Sequence, residues 1–291
     1  MSRKRLLIGG LFGALLAILW FGGAGVAAFA ITHRRHSDRF EIAPTEPAFE
    51  SLRISTRDGE ELGAWYRPGD PDRAVVVLLH GVGANRSSVL EPARLFADRG
   101  CGTLLLTQRC HGDSTGSYCD FGYSARLDLV AAAGWIESNH PGRKIVVWGT
   151  SMGAATACFA AEELGPRVHG YFLDCCYADL ETATRNRMHL ILPPGIDWLA
   201  YRTLHLWSPI FLPNVERIAP AKARFPEGVP VVVAAGGLDR KATPAESAAI
   251  AEHIGAMAKL VLFEKGQHSH LIESDLVRYR AEVAEFLDRA R

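Results

Sequence analysis

Ser151, Asp239 and His268 are the residues whose types and spacing point to chemistry. Ser151 lies in Gly149-Thr150-Ser151-Met152-Gly153, a G-x-S-x-G pattern. Where a strand turns sharply into a helix, such a serine takes a strained backbone conformation and lifts its hydroxyl above the sheet edge. The two glycines remove side chains that would collide there. The surroundings fit: residues 144–148 read as a buried strand, with an apolar, mostly β-branched run after Lys144, and residues 154–164 are rich in small helix formers. A serine hydroxyl at such a corner attacks an acyl carbonyl only with help. It needs a base to take its proton, an acid to orient the base, and donors for the oxygen that becomes negative.

In an open α/β sheet the active groups gather at the carboxyl ends of strands. After the apolar run 231–234 comes Gly236-Gly237-Leu238-Asp239, and after 260–263 comes Glu264-Lys265-Gly266-Gln267-His268-Ser269-His270. The chain order is nucleophile, acid, base, with His268 as the expected base and Asp239 as the expected acid. His270 is a competing base and Asp174, at another strand end, a competing acid. His80 and His111 read as structural hydrogen-bonding residues. Arg240 and Lys241 read either as a solvated pair or as contacts to an acidic substrate.

The elements that must hold these groups are legible as alternation. Strands are expected at 51–56, 61–66, 74–79, 102–106, 144–148, 170–173, 229–234 and 259–263, with helices at 87–98, 124–138, 154–164, 244–254 and 275–290. Arg57-Asp58-Gly59 joins the first two strands as a hairpin. Apolar strands alternating with helices predict an α/β fold, a doubly wound, mostly parallel sheet covered on both faces. Residues 177–225 break the alternation, and a helical cap insertion is expected there because a structureless loop of that length does not suit a compact domain. Its large apolar residues predict an apolar lid over the site, or else ordinary core helices.

Residues 6–31 contain no charge, and Arg3, Lys4 and Arg5 precede them. That is more than the roughly 20 residues a transmembrane helix needs, and the basic cluster favours a cytoplasmic N-terminus. A cleaved signal peptide is the rival, with Ala28-Phe29-Ala30 as its site, but its apolar core would be shorter. The expected organisation is a membrane anchor over 1–35, a linker over 36–50 and one α/β domain over 51–291 with a cap at about 177–225. The body would lie at the cell membrane, on the non-cytoplasmic side. Six of the 32 basic and one of the 32 acidic residues lie in the first 40, leaving 26 against 31 in the body. That mildly acidic balance argues against a nucleic-acid partner. The six cysteines show no metal-binding spacing, so no metal site is expected, and chemistry on a serine hydroxyl needs no cofactor. Cys110 and Cys119 flank a Gly/Ser-rich loop and could pair, while Cys101 and Cys158 read as small buried residues.

Taken together, TRDGEELGAWYRP, VVVLLHGVGANRSS, QRCHGDSTGSYCDFG, VVWGTSMGAAT, VVVAAGGLD and GQHSHL resemble the α/β-hydrolase superfamily, in its branch of single-domain serine esterases and serine-aminopeptidase-like proteins. The resemblance runs from about residue 51 to the end. It implies an acyl-enzyme on Ser151 and an oxyanion hole made by the backbone N–H groups of Val82 and Met152. It implies a small-molecule carboxylic ester as substrate, with an apolar acyl part suggested by the lid. Thioester or peptide cleavage, acyl transfer, and a non-catalytic membrane-anchored binding role are the alternatives. Relatives with dehalogenase or epoxide hydrolase chemistry carry aspartate where this chain has Ser151. The chain departs from the family at Thr107-Gln108-Arg109-Cys110-His111-Gly112, where relatives commonly read D-x-R-G-H-G, which puts the local loop conformation in doubt.

Overall fold

The computed structural model describes residues 3–33 and 48–290. The linker expected at 36–50 falls mostly outside the described residues. Eight strands form one sheet: β1 (Glu50–Ser55), β2 (Glu61–Arg67), β3 (Val75–Leu79), β4 (Gly102–Leu106), β5 (Ile145–Thr150), β6 (Val168–Asp174), β7 (Val231–Gly236) and β8 (Ala258–Phe263). Their spatial order is β1-β2-β4-β3-β5-β6-β7-β8. β1 and β2 form the antiparallel hairpin at one edge, β2 runs antiparallel to β4, and β4 to β8 are parallel. The hairpin turns at Gly59, whose φ of 92° suits glycine.

The helices are α1 (Arg3–Thr32), α2 (Leu90–Ala97), α3 (Arg126–Asn139), α4 (Met152–Leu164), α5 (Leu180–Ile191), α6 (Ile196–Phe211), α7 (Pro244–Ile254), α8 (Leu271–Ser274) and α9 (Leu276–Arg289). Side chains along a strand alternate between faces, and the two cores follow that rule. Val75, Val77 and Leu79 pack with α3, α4 and α7, whereas Val76 and Leu78 pack with α2 and α9. The expected continuous helix at 87–98 begins instead as a 3-10 turn over Arg86–Val89, in which the Asn85 side chain accepts from the Ser87 N–H.

The segment between β6 and β7 carries α5 and α6. Of its large apolar side chains only a few, such as Tyr201 and Leu212, are buried, while Ile191, Ile196, Trp198, Leu199, Leu206 and Ile210 are exposed. They are therefore not core. α6 instead lies against α1: Trp20 Nε1 donates to Thr203 Oγ1 at 2.9 Å, and Trp207 Nε1 donates to the Phe21 carbonyl at 3.0 Å. A side chain at Gly25 would meet the Trp207 ring. The end of α1 joins the body where Cys119 N–H donates to the Thr32 carbonyl at 2.7 Å. Helix residues Leu7–Thr32 are long and apolar enough to cross a membrane.

Candidate active site

β5 is buried to its last residue and then stops, because Ser151 takes φ 53°, ψ −112° and cannot continue a strand. α4 starts at the next residue. Both glycines are required by close approach. A Cβ on Gly149 would lie 2.5 Å from the Gly153 backbone, and one on Gly153 would collide with the Leu79 carbonyl oxygen. Helix α4 therefore starts almost in contact with β3 and β5, and Ser151 is held at the crest, its N–H donating to the Asp174 carbonyl at 2.8 Å.

Three strand ends bring the expected partners together. Ser151 Oγ lies 3.0 Å from His268 Nε2, and His268 Nδ1 lies 2.7 Å from Asp239 Oδ2. With Nδ1 carrying the proton, His268 donates to Asp239 and accepts from Ser151. The other oxygen of Asp239 accepts from the Lys241 and Ala242 N–H groups at 2.8 and 3.0 Å. Burial works to raise the Asp239 carboxyl. The hydrogen bond and charge of His268 and the two backbone donors outweigh it and hold the group below its ordinary value. Ser151 and Asp239 are buried, and the His268 side chain is 14 % exposed at the floor of a cleft.

That cleft has a volume of about 380 Å³ and is lined by Gly81, Val82, Trp148, Ser151, Arg187, Lys241 and His268 among others. α5 and α6 contribute only Arg187 to its wall, so the apolar side chains of 177–225 do not form a lid over Ser151. Hydrophobic composition shows that a side chain leaves water without showing what it meets, and here most of them face α1 or outward. A separate apolar cavity of about 330 Å³ lies between the end of α1, α5 and α6 and shares no lining residue with the cleft at Ser151.

The competitors lie elsewhere. His270 Nδ1 pairs with Glu273 at 3.1 Å on an exposed ring. Asp174 accepts from Tyr279 at 2.8 Å, and Tyr279 in turn accepts from Trp148 Nε1. Burial raises the Asp174 carboxyl to about 8, the Tyr279 hydrogen bond opposing and Glu273 adding to the rise. Lys241 lines the cleft, and Arg240 does not. Cys175, Asp239 and His268 each offer a ligand atom within 4.8 Å of the others. Burial pushes the Cys175 thiol well up, however, so it keeps its proton and is a poor metal ligand. All six cysteines are buried and none forms a disulfide, so the pairing considered for Cys110 and Cys119 is not formed, although both lie in one small apolar cluster with Met152 and Val82.

Several positioning residues carry no signature in the sequence. Gln108 N–H donates to His80 Nε2 at 3.0 Å, and Gln108 Nε2 donates to the His80 carbonyl at 2.8 Å. Thr156 Oγ1 donates to Gln108 Oε1 at 2.6 Å. His80 Nδ1 then donates to the Gly81 carbonyl at 2.8 Å. Burial first, with the charges of His111 and Arg86, lowers His80 to about 3, so the ring stays neutral and can accept from Gln108. This network fixes the His80-Gly81-Val82 turn. On the other side, Ser269 takes φ 61° and accepts from Thr150 Oγ1 at 3.1 Å, and its N–H donates to Cys175 Sγ at 3.4 Å, which fixes the loop that carries His268. The loop at 107–112, where the motif departs from the family's, is clamped through Arg109, which binds Asp58 and Asp128, each at 2.7 Å.

With this sheet order and this site geometry in view, comparison with known proteins gives one answer. Residues 70–193 match the family model described as serine aminopeptidase, S33. The chain has the α/β-hydrolase fold. The esterase Pf2001 of Pyrococcus furiosus superposes with a TM-score of 0.70 at 21% identity, over 89% of this chain and 99% of that one. A serine hydrolase of Xanthomonas campestris described as lacking a lid, XC6422, gives a TM-score of 0.60 at 19% identity, over 86% and 97%. By sequence, the uncharacterized Bacillus subtilis protein YqkD is 26% identical over 229 residues, 73% of this chain and 70% of that protein. The uncharacterized yeast membrane protein YNL320W is 26% identical over 127 residues, 43% of this chain and 45% of its own. Within the α/β-hydrolase fold, Ser151, Asp239 and His268 follow the ends of β5, β7 and β8.

Proposed function

We propose that this α/β-hydrolase is a membrane-anchored serine hydrolase that cleaves carboxylic esters through an acyl-enzyme on Ser151. The observation that carries the reading is the hydrogen-bonded series Ser151–His268–Asp239 beneath an open cleft. In the first step Ser151 Oγ bonds to the carbonyl carbon while its proton passes to His268 Nε2. The carbonyl oxygen takes the negative charge, between the N–H groups of Val82 and Met152. Met152 is the first residue of α4, so its N–H has no acceptor within the helix and lies at the positive end of the helix dipole. As the tetrahedral species collapses, the ester C–O bond breaks and His268 returns its proton to the leaving alcohol. Water then enters, gives a proton to His268 and releases the acid from Ser151. Asp239 stays ionised throughout and balances the imidazolium.

The cleft volume suits a substrate of moderate size. Arg187 and Lys241 stand on its wall together with Glu91 and Glu273, so a charged group on the ester would find a partner of opposite sign there. The apolar acyl part expected from a lid loses its support, since the apolar residues of α6 face elsewhere. The apolar length of α1 supports the anchor, and the basic residues before it support a body outside the cytoplasm.

The test is covalent labelling. Full-length protein treated with a fluorophosphonate should gain one adduct by intact mass spectrometry, and Ser151→Ala should gain none. A folded wild type that takes no label would overturn the reading and favour a binding role.

A further inference from the structure

α1 and α6 run side by side in the same direction: Trp20 meets Thr203, Phe21 meets Trp207 and Phe29 meets Phe211. The tip of the α5–α6 hairpin therefore points away from the body, along α1 toward its N-terminus. Ile196 precedes Thr203 by seven residues, so at 1.5 Å per residue the tip reaches roughly 10 Å beyond the level of Trp20. Its sequence, residues 190–201, is LILPPGIDWLAY, with Asp197 as its single charge. That carboxylate is turned inward: it is buried, accepts from the Gly195 and Trp198 N–H groups at 2.8 and 2.6 Å, and pairs with His189. The apolar side chains point the other way, Ile191 being 72% and Trp198 63% exposed. Charged pairs such as Glu181–Arg185 stand nearer the foot of the hairpin, and Arg202 lays its long side chain over the Trp198 ring, 5.9 Å from the centroid.

We propose that the α5–α6 tip is inserted into the lipid bilayer beside α1, as a second, non-spanning membrane contact. The inference rests on the reading of α1 as a membrane anchor. The exposed apolar face of the tip continues the exposed apolar surface of α1, so the lipid that solvates one reaches the other. A water-facing tip would leave a contiguous apolar patch with its only charge folded away, which soluble surfaces avoid. An interfacial element with its apolar residues in the acyl layer and its charges at the foot fits instead. The insertion also sets the range of the active site. Arg187, on the cleft wall, is one helical turn from Ile191, so the cleft lies within reach of the tip.

The experiment places a nitroxide on full-length protein reconstituted in palmitoyl-oleoyl phosphatidylcholine vesicles, at Ile191→Cys, at Leu15→Cys on α1 and at Val277→Cys on α9. Unsubstituted protein serves as the blank, since its own cysteines are buried. Collision with oxygen should exceed collision with a water-soluble nickel chelate several-fold at positions 15 and 191, with the reverse at 277. If position 15 is oxygen-dominated while 191 behaves like 277, the insertion is wrong and the anchor stands. If 191 is shielded from both reagents and its spectrum shows dipolar broadening, a second copy covers the tip and the insertion is again wrong. If position 15 also lies in water, anchor and insertion fall together.

Discussion

Replacing Asp239 by asparagine changes one atom, and the structure dictates where it goes. Oδ1 faces two backbone donors, Lys241 N–H and Ala242 N–H. An amide NH₂ there would oppose both, so the asparagine carbonyl must take that place and the NH₂ must face His268 Nδ1. Nδ1 must then accept, which moves the imidazole proton to Nε2. That nitrogen now carries a hydrogen toward Ser151 Oγ, 3.0 Å away, and can no longer take the hydroxyl proton. The fold keeps its contacts while the base is lost. The expected loss of kcat/KM for a p-nitrophenyl ester is on the order of 10⁴-fold, or about 5 kcal/mol at 1.36 kcal/mol per tenfold. Fluorophosphonate labelling should slow in parallel, and hydroxide should restore part of the rate at high pH. A thermal melt within a few degrees of wild type confirms that the fold survives. If Asp239→Asn kept its activity within a few-fold, the tautomer argument would be refuted and Asp239 would not be the orienting acid.

His80 and Asp174 make opposite contributions to stability against pH. The folded-state value of His80 is lowered to about 3, so between the unfolded value near 6.5 and 3 the unfolded chain binds more protons. Stability from the neutral ring is full above pH 6.5 and falls as pH drops, by up to about 1.4 kcal/mol per unit. His80→Asn should flatten urea midpoints measured between pH 6 and 4, and an unchanged slope would show that the ring titrates normally. Asp174 is raised to about 8, so its contribution is present below pH 4 and lost as pH rises toward 8. Asp174→Asn should therefore gain on wild type between pH 5 and 8, and a gain confined to acid would contradict the assignment. Arg187→Gln should lower kcat/KM several-fold for an ester bearing a carboxylate and leave a neutral ester of the same size unchanged. Equal losses on both would mean that Arg187 shapes the cleft and does not read charge.

The legible part of the site was the part that depends on the ends of strands. Ser151 is marked by its glycines because α4 passes within contact of Leu79 and only hydrogen fits. Asp239 and His268 are marked because each follows an apolar run that had to be a buried strand, and strand ends converge. Gln108, Thr156 and Ser269 left no mark. They act through hydrogen bonds across separations of 28, 48 and 119 residues to His80, Gln108 and Thr150, and no local pattern encodes such a pairing. Gln108 stands at the variable place of the D-x-R-G-H-G motif; its N–H donates to the His80 ring and its side-chain amide to the His80 carbonyl, so the turn before Val82 is braced although Thr107 and Cys110 depart from the motif.

Residues 177–225 show where hydrophobicity alone misleads. A run of Leu, Ile and Trp side chains predicts removal from water, and three surroundings satisfy that: a protein core, a substrate cleft and a lipid phase. The sequence separates the first from the others only through periodicity, and α6 has its apolar groups on more than one side. The deciding observation is three-dimensional. Trp207 fits where α1 has only a glycine, Gly25, and Trp20 finds its hydrogen-bond partner in Thr203. α6 is thus built to lie along α1, and its Ile196 and Trp198 are exposed as the outer side chains of α1 are. The same hydrophobic residues that suggested a lid therefore bear on where the enzyme sits, and the cleft itself, with Arg187 and Lys241 on its wall, is left to decide what it cleaves.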